Sequence, residues 1–206
     1  VNISIPDHYN EIVLVGPMGP KLPSELSSLP QIAIDGGESY SSSPFLWIGD
    51  GDSLKKDPAT SEIIKLNSKK DQSDLAYALG RINSPSINKL HFWGFLGGRR
   101  DHELFNLGET SAFLLNKKQT EVIFYQQTLV PDLIFLSSGQ WLFDFQGDFS
   151  LGTISGSEIQ MEGEVDYPLN PVKRLLPLSS LGLSNRAHGK FLIKANAPFF
   201  LIRDYK

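Results

Sequence analysis

The chain has 206 residues, 40% of them hydrophobic and 11% aromatic, which excludes a disordered polypeptide. At roughly 100–200 residues per domain, this length makes one large domain or two small ones. The formal net charge of −4 argues against a non-specific nucleic-acid binder, and the absence of Cys excludes disulfide scaffolds, thiolate zinc sites and cysteine nucleophiles.

From residue 11 to about 126, short apolar runs alternate with helical patterns. Glu11–Val15, Gln31–Ile34, Phe45–Ile48, Ile63–Leu66, Lys89–Trp93 and Glu121–Tyr125 read as strands. They are mostly continuous apolar runs ending in Gly or Asp, the pattern of strands buried on both faces of a parallel sheet. Between them, Gln72–Arg81 and His102–Asn116 carry apolar residues at helical spacing. Strand–helix alternation of this kind predicts an open, mostly parallel α/β sheet with flanking helices. Trp47 and Trp93 fall in predicted buried strands and are assigned to the core.

After about residue 130 the helical signal stops. Leu133–Leu136, Gln140–Phe145, Ser150–Ile154, Ser157–Val165, Lys190–Ala195 and Phe199–Arg203 read as strands. Gly139, Gly147, Gly152, Gly156, Gly163 and Gly182 read as the turns between them. This half predicts a small β-sandwich or barrel. Pro131 marks the boundary, giving an α/β domain over 1–128 and a β domain over 129–206. No apolar run approaches the roughly 20 residues that span a bilayer, and no basic stretch leads into an apolar one at the N-terminus. We therefore expect a soluble cytoplasmic protein with no membrane partner.

The acidic residues of the first half fall at the ends of its predicted strands. Asp35 follows the second strand and precedes Gly36-Gly37. Asp50 and Asp52 follow the third, with Gly51 between them. Asp71 and Asp74 open one helix, and Asp101 opens the next after Gly97-Gly98-Arg99-Arg100. Ligands of open α/β sheets bind beyond the carboxyl ends of the strands, so a parallel sheet places all six Asp on one rim. Taken alone, Asp50-Gly51-Asp52 reads equally well as a solvated turn, and Asp71 with Asp74 as a capped helix start. Together on one rim, like charges need a cation or a proton. Oxygen-only ligands favour Mg²⁺ over zinc, and Mg²⁺ in turn points to phosphates. The Gly97–His102 segment opens a helix and offers backbone N–H groups and Arg99 to an anion. It is neither a Walker P-loop nor a dinucleotide fingerprint.

Asp35-Gly36-Gly37, Gly49-Asp50-Gly51-Asp52-Ser53, Asp71-Gln72-Ser73-Asp74 and Gly97-Gly98-Arg99-Arg100-Asp101-His102 resemble, in order, the motifs of the thiamine pyrophosphokinase family. Ser184-Asn185 resembles that family's Ser-Asn motif. The resemblance implies a homodimer with an α/β catalytic domain followed by a β-sandwich. It implies transfer of the pyrophosphoryl group of ATP to the hydroxyl of thiamine, giving thiamine diphosphate and AMP. It assigns Asp50, Asp52, Asp74 and Asp101 to catalysis and Mg²⁺. It assigns Asp35, Gly36, Gly37, Asp71, Gly97, Gly98, Arg99 and His102 to ATP, and Ser184 and Asn185 to thiamine. Three positions depart from the pattern. Gly51 stands for Phe, Ser73 for Thr, and Arg186 follows Ser184-Asn185 where an acidic or small polar residue is usual. A buried cation there would oppose a cationic thiazolium. Two alternatives therefore stay open: another hydroxymethyl heterocycle such as a pterin as acceptor, or a nucleotide-binding sensor without turnover.

Overall fold

The computed structural model describes residues 8–52, 60–82 and 86–203. Ser53, quoted in the second motif, lies outside them. Cα packing groups the chain into two units, one of residues 1–109 with 122–129 and one of 110–121 with 130–206.

In the first unit, β1 (Glu11–Val15) pairs in parallel with β2 (Gln31–Ile34) and with β5 (Lys89–Trp93). β3 (Leu46–Gly49) extends the sheet from β2, and β4 (Glu62–Lys65) extends it from β3, both parallel. β6 (Glu121–Tyr125) neighbours β5 on the other side. Every residue of β2 and β3 is buried, as are the last four of β1 and β5. That is why these strands appear in the sequence as unbroken apolar runs. Trp47 and Trp93 are core residues, each 1% exposed. β4 is the edge strand, and its side chains are mostly exposed.

The two helices differ from the sequence pattern in opposite directions: the one expected at Gln72 starts two residues later, and the one expected at His102 starts two residues earlier. After a single turn, α1 (Ser24–Ser27), the second helix, α2, runs Asp74–Arg81 and the third, α3, runs Arg100–Leu114. Ser73 caps α2, its Oγ accepting from the N–H of Ala76 at 3.1 Å. Ser satisfies an otherwise unpaired helix N–H as well as Asp does, so the helix begins two residues beyond Gln72. His91 was unremarkable in the sequence. It is buried between strands, 2.9 Å from Glu11 Oε2 and 3.2 Å from the hydroxyl of Tyr125. Burial opposes the charge of Glu11, but the bond to His91 and the nearby Lys89 outweigh it and lower its pKa.

The second unit is antiparallel, so the pairing of the chain as a whole is mixed rather than mostly parallel. Its strands are β7 (Leu133–Leu136), β8 (Gly139–Gly152), β9 (Ser157–Val165), β10 (Leu169–Leu175), β11 (Asn185–Ala195) and β12 (Phe199–Arg203). Hydrogen bonds join them in one run, β10-β9-β11-β8-β12-β7, and draw no division into two facing sheets. Phe149, Phe191, Ile193, Met161 and Phe199 form its core.

Two sequence readings need correction here. Gln140–Phe145 and the first three residues of Ser150–Ile154 belong to the single strand β8, and Gly147 lies inside it. Gly163 likewise lies inside β9, at φ +125°, opposite a register shift between Ala187 and Phe191. A Cβ at Gly163 would stand 2.5 Å from the carbonyl oxygen of Lys190, so this glycine marks a bulge and not a turn. β10 went unread because Pro171 interrupts it. A proline is tolerated there because β10 is an edge strand.

Gly37 lies against the end of β1. A Cβ on it would stand 1.9 Å from the carbonyl oxygen of Val15. Backbone cannot yield as a flexible side chain can. Gly37→Ala should therefore cost about 3 kcal/mol, roughly a 6–12 °C fall in Tm for a chain of this size, measured by thermal unfolding.

Candidate functional site

The carboxyl ends of β1, β2, β3 and β5 surround a cavity of about 460 Å³ in the first unit. Its walls include Asp35, Asp50, Asp52, Lys70, Asp74, Gly97, Arg99 and His102. The volume falls within the 300–1,000 Å³ range of small-molecule sites. The position is the one the strand order requires for an α/β sheet.

Asp35 follows β2 directly and opens a short 3-10 turn, Asp35–Ser39. Its φ is +50°, a region that L residues enter at a cost and that Asp tolerates better than most. The indole of Trp47 donates to its carbonyl at 2.8 Å and fixes it there. Asp50 and Asp52 follow β3. Gly51 between them sits at φ +85°, which turns the loop tightly enough for the N–H of Asp52 to donate to Asp50 Oδ1 at 3.1 Å. That backbone bond is the largest influence on Asp50, and with Lys70 it outweighs burial and lowers the carboxyl pKa. Gly51 is thus a working turn residue.

Carboxylate oxygens of Asp35, Asp50 and Asp52 lie within 4.8 Å of one another. The resemblance had placed Asp35 with the nucleotide; the structure places it with the two Asp of the next loop. Asp74 also lines the cavity, but it is paired with Lys70, whose Nζ is 2.9 Å from its Oδ1. The same ammonium is 3.7 Å from Asp50 Oδ2. Burial opposes the Lys70 charge, yet the bond to Asp74 and the charges of both Asp hold its pKa above the ordinary lysine value. Sequence reasoning missed Lys70, because one of two adjacent Lys reads as a solvated charge. Its signal was position alone: it lies four residues before Asp74, just beyond the end of β4.

Asp101 stands apart from the three-carboxylate group. It is about half exposed, and Arg99 binds it through Nε and a second guanidinium nitrogen. Its Oδ1 also accepts from the N–H of His102 at 3.0 Å. The bond from Arg99, helped by that N–H, lowers the Asp101 pKa to about 2. Asp71 is exposed in the turn before α2. Gly36 and Gly37 shape the bend behind Asp35, and Gly97 and Gly98 take φ of +71° and +106° in the loop leading to α3. The side-chain amide of Asn106 ties that loop to α3 through the carbonyl of Phe95 at 3.0 Å.

In the second unit, Ser184 is exposed at φ +57° and lines an open groove with Asp148, Ser150 and Arg203. Asn185 is buried, and its amide makes three hydrogen bonds inside the protein. Its oxygen accepts from the N–H groups of Tyr167 and Arg186, and its nitrogen donates to the carbonyl of Tyr167. These bonds stitch the β9–β10 connection to β11. Arg186 is exposed and paired with Asp148 at 3.3 Å.

The chain was compared with known proteins. No protein-family profile and no curated protein sequence matches it. Among solved structures it is similar to thiamine pyrophosphokinase from Bacillus subtilis, with a TM-score of 0.70 and 20% identity over 95% of this chain and 99% of that one. It is similar to a thiamin pyrophosphokinase family protein from Enterococcus faecalis, with a TM-score of 0.70 and 18% identity over 95% and 99%. For thiamin pyrophosphokinase from Candida albicans the TM-score is 0.68, with 14% identity over 99% and 96%. The fold is the one these thiamine pyrophosphokinases share. No helix among the described residues is long and apolar enough to cross a membrane.

Two measurements check this geometry. In a carboxyl NMR titration, Asp101 should titrate near 2, and Arg99→Gln should return it toward the ordinary value of about 3.9. A depressed folded-state pKa contributes stability above the ordinary value and loses it as the pH falls from about 3.9 towards 2, so that contribution is complete at neutral pH. Asn185→Ala removes a buried amide that holds the N–H and carbonyl of Tyr167 and the N–H of Arg186. It should cost about 2–3 kcal/mol in urea unfolding.

Proposed function

We propose that the chain transfers the pyrophosphoryl group of ATP to the hydroxyl of thiamine, releasing thiamine diphosphate and AMP. The observation that carries this reading is the clustering of Asp35, Asp50 and Asp52 beside Lys70, Asp74 and Arg99 in one cavity at the rim of a parallel sheet. The ordered motifs and the fold support it independently of each other.

The donor set fits a hard divalent cation: three carboxylates with no His or Cys among them. Asp35, Asp50 and Asp52 would hold Mg²⁺, with Asp74 close by. Bound there, Mg²⁺ would neutralise charge on the phosphate oxygens. The protein's own groups do the rest. The N–H groups of the Gly97–Gly98 loop and the guanidinium of Arg99 bind phosphate oxygens. Arg99 must then share its charge between phosphate and Asp101. His102 borders the nucleotide. Asp74 accepts the proton of the thiamine hydroxyl as it attacks the β-phosphorus. Catalysis of this kind rests on alignment and on charge stabilisation.

In the second unit, the reading gives Ser184 to thiamine. Asn185 serves by holding the loop beside it. Arg186 no longer argues against a cationic acceptor, since it is solvent-exposed and neutralised by Asp148. The proposal includes the homodimer and the cytoplasmic location that the resemblance implies. It also treats residues 1–128 as the catalytic domain and 129–206 as the thiamine-binding domain.

The test is AMP release from ATP and Mg²⁺, with and without thiamine. Thiamine-dependent AMP is the expected result. AMP released only with a hydroxymethyl pterin would move the acceptor, and ATP binding without any AMP would leave a nucleotide sensor. Asp50→Asn should lower kcat at least 100-fold with an unchanged circular dichroism spectrum. Near-normal turnover in that variant would remove Asp50 from the reaction.

A further inference from the structure

We infer that Lys70 is a positioning residue that couples nucleotide binding to divalent-cation binding, a role that rests on the function proposed above. Its ammonium lies 2.9 Å from Asp74 and 3.7 Å from Asp50, and all three side chains are less than a fifth exposed. Asp50 is also one of the three carboxylates whose oxygens gather within 4.8 Å. Lys70 and a divalent cation therefore compete for the same carboxylate. A cation entering alone must draw Asp50 from the ammonium and tolerate a positive charge a few ångströms away.

The nucleotide changes this balance. Lys70 lines the same cavity as Arg99 and His102. A triphosphate in that cavity offers the ammonium new oxygen partners, and the flexible four-carbon stem of Lys lets it turn to them. Asp50 is then released to the cation. Lys70 thus opposes the cation by itself and favours cation and nucleotide together. By linkage the effect is reciprocal: each ligand strengthens the other by the same factor.

The test needs neither acceptor nor turnover. Mn²⁺ binding is followed through the electron paramagnetic resonance signal of the free ion. It is measured without nucleotide and with α,β-methylene-ATP, after allowing for Mn²⁺ bound by the analogue in solution. Lys70→Met should bind Mn²⁺ alone on the order of thirtyfold more tightly, the size of one charge removed from about 4 Å of a divalent ion under water-like screening. The strengthening of Mn²⁺ binding by the analogue should shrink by a similar factor. Lys69→Met removes an equal charge from the exposed neighbouring position and should change neither quantity. Lys70→Gln gives the same readout if Lys70→Met does not fold. Mn²⁺ affinity unchanged or weakened in the Lys70 variants, or full strengthening by the analogue, would overturn the role. If the AMP assay fails while these shifts appear, the pyrophosphokinase reading falls and the coupling stands. If AMP forms while Mn²⁺ binding is unmoved, only the coupling falls.

Discussion

Four carboxylates share one end of a parallel sheet, and their repulsion is the constraint the first unit has to meet. Two unit charges 4 Å apart repel by about 4 kcal/mol at an effective dielectric of 20. The chain answers in three ways. The N–H of Asp52 turns back on Asp50. Lys70 places one ammonium between Asp50 and Asp74. Arg99 takes up Asp101, so that a further carboxylate does not add to the group. Each answer depends on the strand ends being level, which the parallel pairing of β1 with β2 and β5 provides.

Tight backbone contacts set that level. Gly37 touches the end of β1, and Gly94 sits at φ +75° where a Cβ would stand 2.3 Å from the nitrogen of Gly19. Loops that close can carry no side chain at these points. The motif glycines therefore serve two ends. Some, such as Gly97, border the cavity directly. Others, such as Gly37, set the height at which Asp35 leaves its strand.

Much of this was legible in the sequence, for a physical reason. Strands buried on both faces must be apolar throughout, so β1, β2, β3 and β5 announce themselves. A parallel sheet then fixes which end carries the site. The sequence was less informative where two residue types satisfy the same need. Ser73 caps α2 as readily as Asp71 would have done. Asp101 and Asp35 are both Asp at strand–helix junctions, and only the path of the chain shows that one pairs with Arg99 while the other joins Asp50 and Asp52. In the second unit, glycine misled because bulge and turn use the same residue. Gly147 and Gly163 lie within strands, and Pro171 hid an edge strand.

The second unit handles its charges differently, by pairing them on its exposed surface. Arg186, His188 and Lys190 alternate along the exposed face of β11. Arg186 faces Asp148, His188 lies against Asp166, and Lys190 is within reach of Asp144. Such exposed pairs contribute little to stability, at most about 1 kcal/mol each. Their effect is on the field: Arg186, His188 and Lys190 each face an acidic side chain, so the positive charge at these three positions is largely offset. The first unit is arranged otherwise. Arg99, 72% exposed, reaches the cavity from a loop whose glycines leave backbone N–H groups uncovered, beside carboxylates suited to a divalent cation. The first unit thus holds a carboxylate group and an exposed guanidinium in one cavity, whereas these three positions of β11 have their charges matched.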